Sequence, residues 1–403
     1  MAAGPAAALA AALALTVALS SGALGIGWTA PARVTDSRPS ELTALHELTS
    51  VPGALHLVHA RIGPKPADDR VVYQRSTNGA RTWSREQILF RSTKADPAVV
   101  PNLAIAAEDQ LVAVAWRTRG DHGSSLWIRR SEDGGRTWKP RRLLAQNGQP
   151  RGIGVPALSV AGGRVIAAWT LRSKGKVLAR RSTDGARTWG KPVTLGTTHL
   201  SIDCDRATLD GLVGLGASGD TVHLAWSDGK DGACLSNKLL VRTSRDGGRT
   251  WGAARTASTT KTYGWPEVTA RGPYLLISLQ EPDGGFTIVR SRNSGRTFKE
   301  HGFTPAKDRA LGAADVLLSG GATAWLVYAD VLYDANDVAS SRIRFRTSHD
   351  RGETWSAGQT VVDTAAKLRQ APNLGANGSK PVILFQTGTT NGATADIVAV
   401  RAR

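Results

Sequence analysis

The chain has 403 residues, 44 of them Gly and 12 Trp, with only 6 Phe, 5 Tyr and 1 Met. Two cysteines exclude a disulfide-dense scaffold and a four-cysteine zinc site. Basic residues outnumber acidic ones by 18, which favours acidic partners and says nothing about fold.

Residues 5–27 carry no charge and are followed by Ala30-Pro31-Ala32, which fits a secretory signal cleaved near Ala32. No Lys or Arg precedes the apolar run, and it is long enough to span a bilayer, so an uncleaved anchor is the rival reading. Residues 1–32 are therefore set apart as signal or anchor. Residues 33–403 form one domain, secreted or held on the outer face of the membrane, where a disulfide can persist.

Past that point one octapeptide recurs six times. It reads Ser-x-Asp/Asn-x-Gly/Ala-x-Thr-Trp/Phe in all six copies, with Arg ahead of the Thr in five and Glu353 there in the sixth. The copies start at Ser76, Ser131, Ser182, Ser244, Ser291 and Ser348, and their spacings of 55, 51, 62, 47 and 57 residues suit a four-stranded blade. A β-rich run precedes each box, as in VVYQR or LWIRR, and an apolar hairpin lies upstream, as in LSVAGGRVIAAW. Each unit thus reads as strands A, B and C, the box, then strand D. The box is the C–D turn. Its acceptors Asn78, Asp133, Asp184, Asp246, Asn293 and Asp350 bond turn backbone, and Gly supplies the left-handed residue. Ala80 and Ala186 replace the usual second Gly, so the left-handed position there is expected at Gly79 and Gly185. The Trp is an apolar anchor.

Six A–B hairpins precede boxes. A seventh, Asn373–Gln386, follows the last box and leads into DIVAVRAR, with no box and no strand D of its own. The expected fold is all-β: a propeller of seven antiparallel blades (six being the alternative), closed by an N-terminal strand from Ala32–Ser37.

The octapeptides resemble the Asp-box, or BNR, repeats of the sialidase superfamily, over nearly the whole chain after the signal. That resemblance implies boxes on the face opposite the active site. It also implies an Arg-Ile-Pro stretch on the first inner strand, three Arg on the substrate carboxylate, a Tyr nucleophile paired with Glu, and an Asp acid/base. The first inner strand, near Glu47–Pro52, has no Arg. Arg61-Ile62-Gly63-Pro64 carries an extra Gly and follows strand B.

Topology directs the search to the D–A and B–C loops. Cys204 and Cys234 flank the fourth blade's inner hairpin on that face and are expected to form a disulfide. Carboxylates flanking a sugar bond are the glycosidase requirement, which makes Asp205, Asp210 and Glu267 the catalytic candidates. Tyr333 is added as nucleophile by resemblance alone. Arg206, Arg309 and Arg369 suit a carboxylate or sulfate, and Tyr263 and Trp265 can stack on sugar. The Asp/Asn cluster around Tyr333 lacks EF-hand spacing and reads as a solvated loop. Gly214-x-Gly216-x-x-Gly219 is an A–B turn, not a dinucleotide motif. No metal or cofactor is implied. The expected partner is a glycan or acidic polysaccharide, with no nucleic acid and no membrane contact beyond the N-terminal segment. The chain is expected to be a monomer.

The functional expectation is a secreted glycoside hydrolase of exo-sialidase-like kind acting on an acidic glycan. The alternatives are a polysaccharide lyase on uronates and a non-catalytic glycan- or protein-binding propeller.

Overall fold

The computed structural model describes residues 26–37, 41–93, 99–120, 123–149, 152–171, 174–200, 212–230, 234–334, 337–364, 368–388 and 395–403. These form seven four-stranded antiparallel sheets. Their innermost strands are Leu42–Val51, Val99–Glu108, Ala157–Ala161, Val213–Ser218, Glu267–Arg271, Arg309–Leu318 and Leu368–Asn377. Each packs against the next, and the last against the first, so the sheets close a ring around a central channel. The only helical element among the described residues is one 3-10 turn, Pro66–Asp68.

Closure is as the sequence implies. Ala32–Arg33 pairs with the outer edge of the seventh sheet, Ala32 opposite Ala399. The pairing extends upstream of the expected cleavage point. Thr29 N donates to the Arg401 carbonyl at 3.0 Å, and Trp28 packs edge-on against Phe345 at 5.0 Å between ring centres. The folded unit therefore begins by Ile26, inside the segment set apart as signal or anchor. Cleavage after Ala32 would remove the half-buried Trp28 ring and part of the closing strand. No helix of the described residues is long and apolar enough to cross a membrane.

Every C strand from the first blade to the sixth ends on the box serine. That serine Oγ accepts the amide four residues on, at 2.7–2.9 Å in all six copies. In the Asp copies the carboxylate takes the Thr amide and hydroxyl together, as Asp184 does from Thr188 at 2.9 and 2.6 Å. In the Asn copies the polarity of one bond reverses. Asn78 still accepts the Thr82 amide, but its Nδ2 donates to the Thr82 hydroxyl at 2.8 Å.

The turn needs two consecutive left-handed residues, not the single one expected. Ala80 (φ 63°) follows Gly79 (φ 67°), and Ala186 (φ 63°) follows Gly185 (φ 69°). The methyl groups are held there because both alanines are buried in core clusters, which offsets the backbone cost of about 1–2 kcal/mol for an L-residue in that region.

Seven hydrophobic clusters fill the seven inter-blade gaps, and the box aromatic packs against one of them in each of the six boxed blades. Trp138 of the second blade, for example, meets Tyr73 of the first edge-on at 4.8 Å. Polar ties run alongside: Arg75 Nη1 donates to the Gly134 carbonyl, and Arg181 Nε to that of Gly247, each reaching a neighbouring box. The box is at once the turn of its own blade and the staple to the previous one.

Hydrogen bonds from the Thr188 hydroxyl and amide hold Asp184 well below the usual carboxylate range, and the Thr250 pair does the same for Asp246. A depressed carboxylate stabilises the fold above its unfolded pKa and loses that contribution as pH falls through the folded one. Asp184→Asn, which recreates the bonding of Asn78, is expected to melt within a few degrees of the parent at pH 7. Below pH 4 its melting temperature should fall less steeply. Melting curves from pH 7 to pH 2 check both expectations.

Candidate active site at the channel neck

Strand register fixes the height of every inner-strand residue in the channel. In each of the six boxed blades one B-strand residue stands opposite the box serine. The B residue three positions further on pairs with an inner-strand residue. Those inner residues are Glu47, Ala104, Ala157, Gly214, Glu267 and Asp315, opposite Val58, Ala115, Ala168, Ala225, Ser278 and Val327. In the seventh blade the equivalent place, four residues before the A–B turn, is Asn373, opposite Leu384.

All seven line one cavity of about 320 Å3. The register shifts at 44/46, 100/103, 312/315 and 370/373 fall immediately before this level, and the inner strands of the third and fifth blades begin on it. The ring is therefore the neck where the channel opens toward the D–A and B–C loops, on the face away from the boxes.

The ring is lopsided. Glu267, Asp315, Asn373 and Glu47 occupy four consecutive blades. Ala104, Ala157 and Gly214 occupy the other three and leave room opposite the acids. Gly214 is imposed by its neighbour: a Cβ there would lie 2.1 Å from the Pro266 carbonyl oxygen. Pro266 follows Trp265, which sits in the left-handed region at φ 58° and also lines the cavity. Three buried polar atoms of the lining find no protein partner: Asn373 Oδ1, an acceptor, Trp265 Nε1, a donor, and the Ser159 hydroxyl. Buried polar groups are ordinarily paired, so three orphans in one cavity mark a place for a polar guest.

The electrostatics of the ring follow from its shape. Glu267 meets channel water, yet protein wall surrounds it on every other side, so its field runs largely through a poorly polarisable medium. This enclosure pushes it up to about 7. Enclosure and then the Glu267 charge push Asp315 up to about 8, although Asp315 Oδ2 accepts the Leu374 amide at 2.7 Å. Enclosure, followed by the charges of Glu267 and Asp315, lifts Glu47 well above its ordinary value. No Arg, Lys, His or Tyr is among the described lining residues. Nor, among the described residues, do three Asp, Glu, His or Cys side chains converge so as to hold a metal ion.

Of the candidates named from sequence, Glu267 and Trp265 stand together at the neck. Tyr263 is half-buried behind them, its hydroxyl donating to the Pro282 carbonyl at 3.4 Å. Arg309 is committed to Asp330, through its carboxylate and its carbonyl. Tyr333 is 43% exposed on the sixth blade and lies outside the cavity lining. Arg369 pairs through its backbone with Thr387 in the seventh blade. Its side chain, and all of Cys204, Asp205, Arg206 and Asp210, lie outside the described residues. Cys234 is disulfide-bonded. Arg61 is buried and spent on Glu41 and Glu86. Glu47, Asp315 and Asn373 were not singled out as catalytic. Counting four residues back from the A–B turn finds Glu47 and Asn373 together with Glu267. Asp315 stands only three back, because its turn is wider.

Comparison with solved structures finds the same fold in the phage phi92 endosialidase and in the Trypanosoma rangeli sialidase in complex with sialic acid. The phage protein is 11% identical, with 94% of this chain and 69% of that chain covered and a TM-score of 0.53. The trypanosomal protein is 14% identical, with 94% and 59% covered and a TM-score of 0.51. This chain thus spans less than two thirds of the trypanosomal sialidase, and likeness at such identity speaks to fold alone. The model of a family described as a BNR repeat-like domain matches residues 10–270. A search of curated proteins finds no match.

A carboxyl whose folded pKa is raised favours the folded state while protonated and opposes it as pH rises through the interval between unfolded and folded values. Asp315→Asn keeps an acceptor for the Leu374 amide and removes one charge from the ring. It is expected to melt above the parent at pH 8.5 and to lose that advantage at pH 5, as calorimetry at the two pH values will read.

Proposed function

We propose that this chain, which belongs to the BNR repeat-like domain family, is an exported glycoside hydrolase whose proton-handling pair is Glu267 and Asp315 at the channel neck. The observation that carries this reading is the register-matched arc of three carboxylates facing small residues across a sugar-sized cavity.

Glycoside hydrolysis uses one carboxyl that gives a proton to the leaving oxygen and one carboxylate that activates water or meets the developing cation. Neighbouring carboxyls near 7 and 8 share protons around neutrality, so a proton donor and a charged partner are present together. Glu47 is the third acid, and enclosure with the charges of Glu267 and Asp315 favours its protonated form. Trp265 offers a ring face to sugar, and Asn373 Oδ1 an acceptor for a hydroxyl.

The sign of the neck narrows the substrate. Three acids and no cation among the described lining residues give a sialic or uronic carboxylate no counter-ion, and each acid that ionises repels it. The sugar in the neck is therefore one without its own acid group. The acidic-glycan expectation rested on the sialidase resemblance and on Arg206, Arg309 and Arg369, with the charge of the whole chain beside them, and the described lining of the neck holds acids instead. A uronate lyase would need a cation for the substrate acid, which the described lining does not supply. The uncharged N-terminal run supports export, with the junction upstream of Ile26.

A screen of the full chain on neutral glycosides, sialosides and uronides tests the reading. Neutral glycosides are expected to be cleaved. Glu267→Gln and Asp315→Asn should each lower kcat/KM by about 100-fold or more, the usual contribution of a positioned acid or base, while Tyr333→Phe leaves it within about twofold. Unchanged turnover in both neck variants would remove the assignment. Preferential cleavage of sialosides would refute the charge argument.

A further inference from the structure

The seventh blade is the one without a box. Its C strand, Ala395–Arg401, runs on to Arg403, and its outer strand comes from the other end of the chain. The surface that a C–D hairpin covers elsewhere is left open. In its place, on the box face between the seventh and first blades, lies a cavity of about 680 Å3. Its charged side chains are Arg81, Lys380, Arg401 and Arg403, and no Asp or Glu lines it. None of the four makes an ion pair within the described residues. Arg401 is fixed by the bond from Nη1 to the Ala80 carbonyl at 3.4 Å. Arg81 and Lys380 are exposed at the opening.

Some cations elsewhere on this face are matched: Arg290 and Arg292 meet Glu353, and Arg187, Arg130 and Lys139 meet Glu132. At the closure gap four unmatched cations share one concavity. A smaller hollow of about 180 Å3 between the fourth and fifth blades repeats the chemistry, with Arg245, Arg255 and Arg296 and no acid in its lining.

We propose that the space left by the missing box is an oxyanion site that takes phosphate or sulfate groups borne on a polymer. Four cations around one concavity suit a multiply charged tetrahedral anion. The cavity is much larger than one such ion, which leaves room for the chain that carries it. The second basic hollow on the same face offers a further contact along such a chain. The site faces away from the neck and does not depend on the hydrolase reading.

The experiment is titration of the full chain with inorganic phosphate, long-chain polyphosphate and a sulfated polysaccharide at several salt concentrations. The variants are Arg81→Glu with Lys380→Glu, and a charge-matched control, Arg136→Glu with Arg249→Glu, exposed box arginines outside both hollows. Melting temperatures of both pairs are read alongside. The expected result is salt-sensitive polymer binding, weakened about tenfold or more by the first pair and less than about threefold by the second. The salt dependence should also be shallower by about two contacts in the first pair. Equal loss in the two pairs would reduce the effect to net charge and overturn the site, as would absence of binding by all three anions. Inorganic phosphate binding as tightly as the polymers would overturn the polymeric source.

Discussion

Each blade is indexed by a hydrogen-bonded turn that tolerates no slippage. The box serine ends strand C, accepts an amide four residues on, and hands the chain to an Asp or Asn that clamps the Thr before strand D begins. Because C pairs with B and B with A, this turn sets which inner-strand residue reaches a given height in the channel. A shift of one residue would turn an entire strand over. The coincidence of Glu47, Glu267 and Asp315 at one level therefore depends on six short turns on the far side of the molecule. The staple function has the same source: each box aromatic crosses to the neighbouring blade, so the register of one sheet is locked to that of the next.

What was readable in the sequence follows the range of the interactions. The boxes are local, repeat six times, and use residue types whose turn chemistry is nearly unique, so six blades are legible from them directly and the seventh from its boxless A–B hairpin. The neck is not local. Glu47 is an unremarkable residue in an ordinary strand until the ring is closed, and Asp315 is preceded by a bulge that hides its phase. Loops rich in Asp, Arg and Tyr stand out by composition, yet Arg309 is bound to Asp330 and Tyr333 is exposed outside the cavity lining. Single-residue rules failed where packing outweighed backbone preference. Ala80 and Ala186 take the left-handed conformation that the turn imposes at this position in every box, and burial of their methyl groups in an inter-blade gap, invisible in the octapeptide itself, offsets the cost. At the N-terminus the apolar run reads as signal or anchor up to Ala32, while Ile26 and Trp28 are half-buried by contacts with blades more than 300 residues away in the chain, which no local pattern announces.

The lopsided ring also separates two demands that a symmetric propeller would confuse. Seven identical inner strands would line the neck with seven identical side chains, and seven carboxylates at one level could not ionise together. Concentrating the acids in four adjacent blades, with Asn373 among them, keeps the repulsion to three groups and leaves the opposite wall free for a guest. The small residues of that wall stand in blades whose B strands carry the buried Trp116, Trp169 and Trp226. Bulk absent from the channel is thus present one layer outward, and the inter-blade packing is not hollowed out by the space at the neck.

The raised acids of the neck and the depressed acids of the boxes act on stability in opposite directions across pH. Box carboxylates favour the folded chain once ionised; neck carboxylates favour it only while protonated. The two sets cross between the ordinary carboxylate range and neutrality, where the boxes are already charged and the neck still holds protons. The buried His46, His56, His59 and His223 pull the other way: burial holds them neutral, so each loses its contribution to the fold as pH drops below the ordinary imidazole range. A guest that accepts hydrogen bonds from the protonated neck, or takes a proton from it, draws on groups that the fold itself keeps protonated, so proton donation near neutrality requires no separate device beyond the enclosure of the ring.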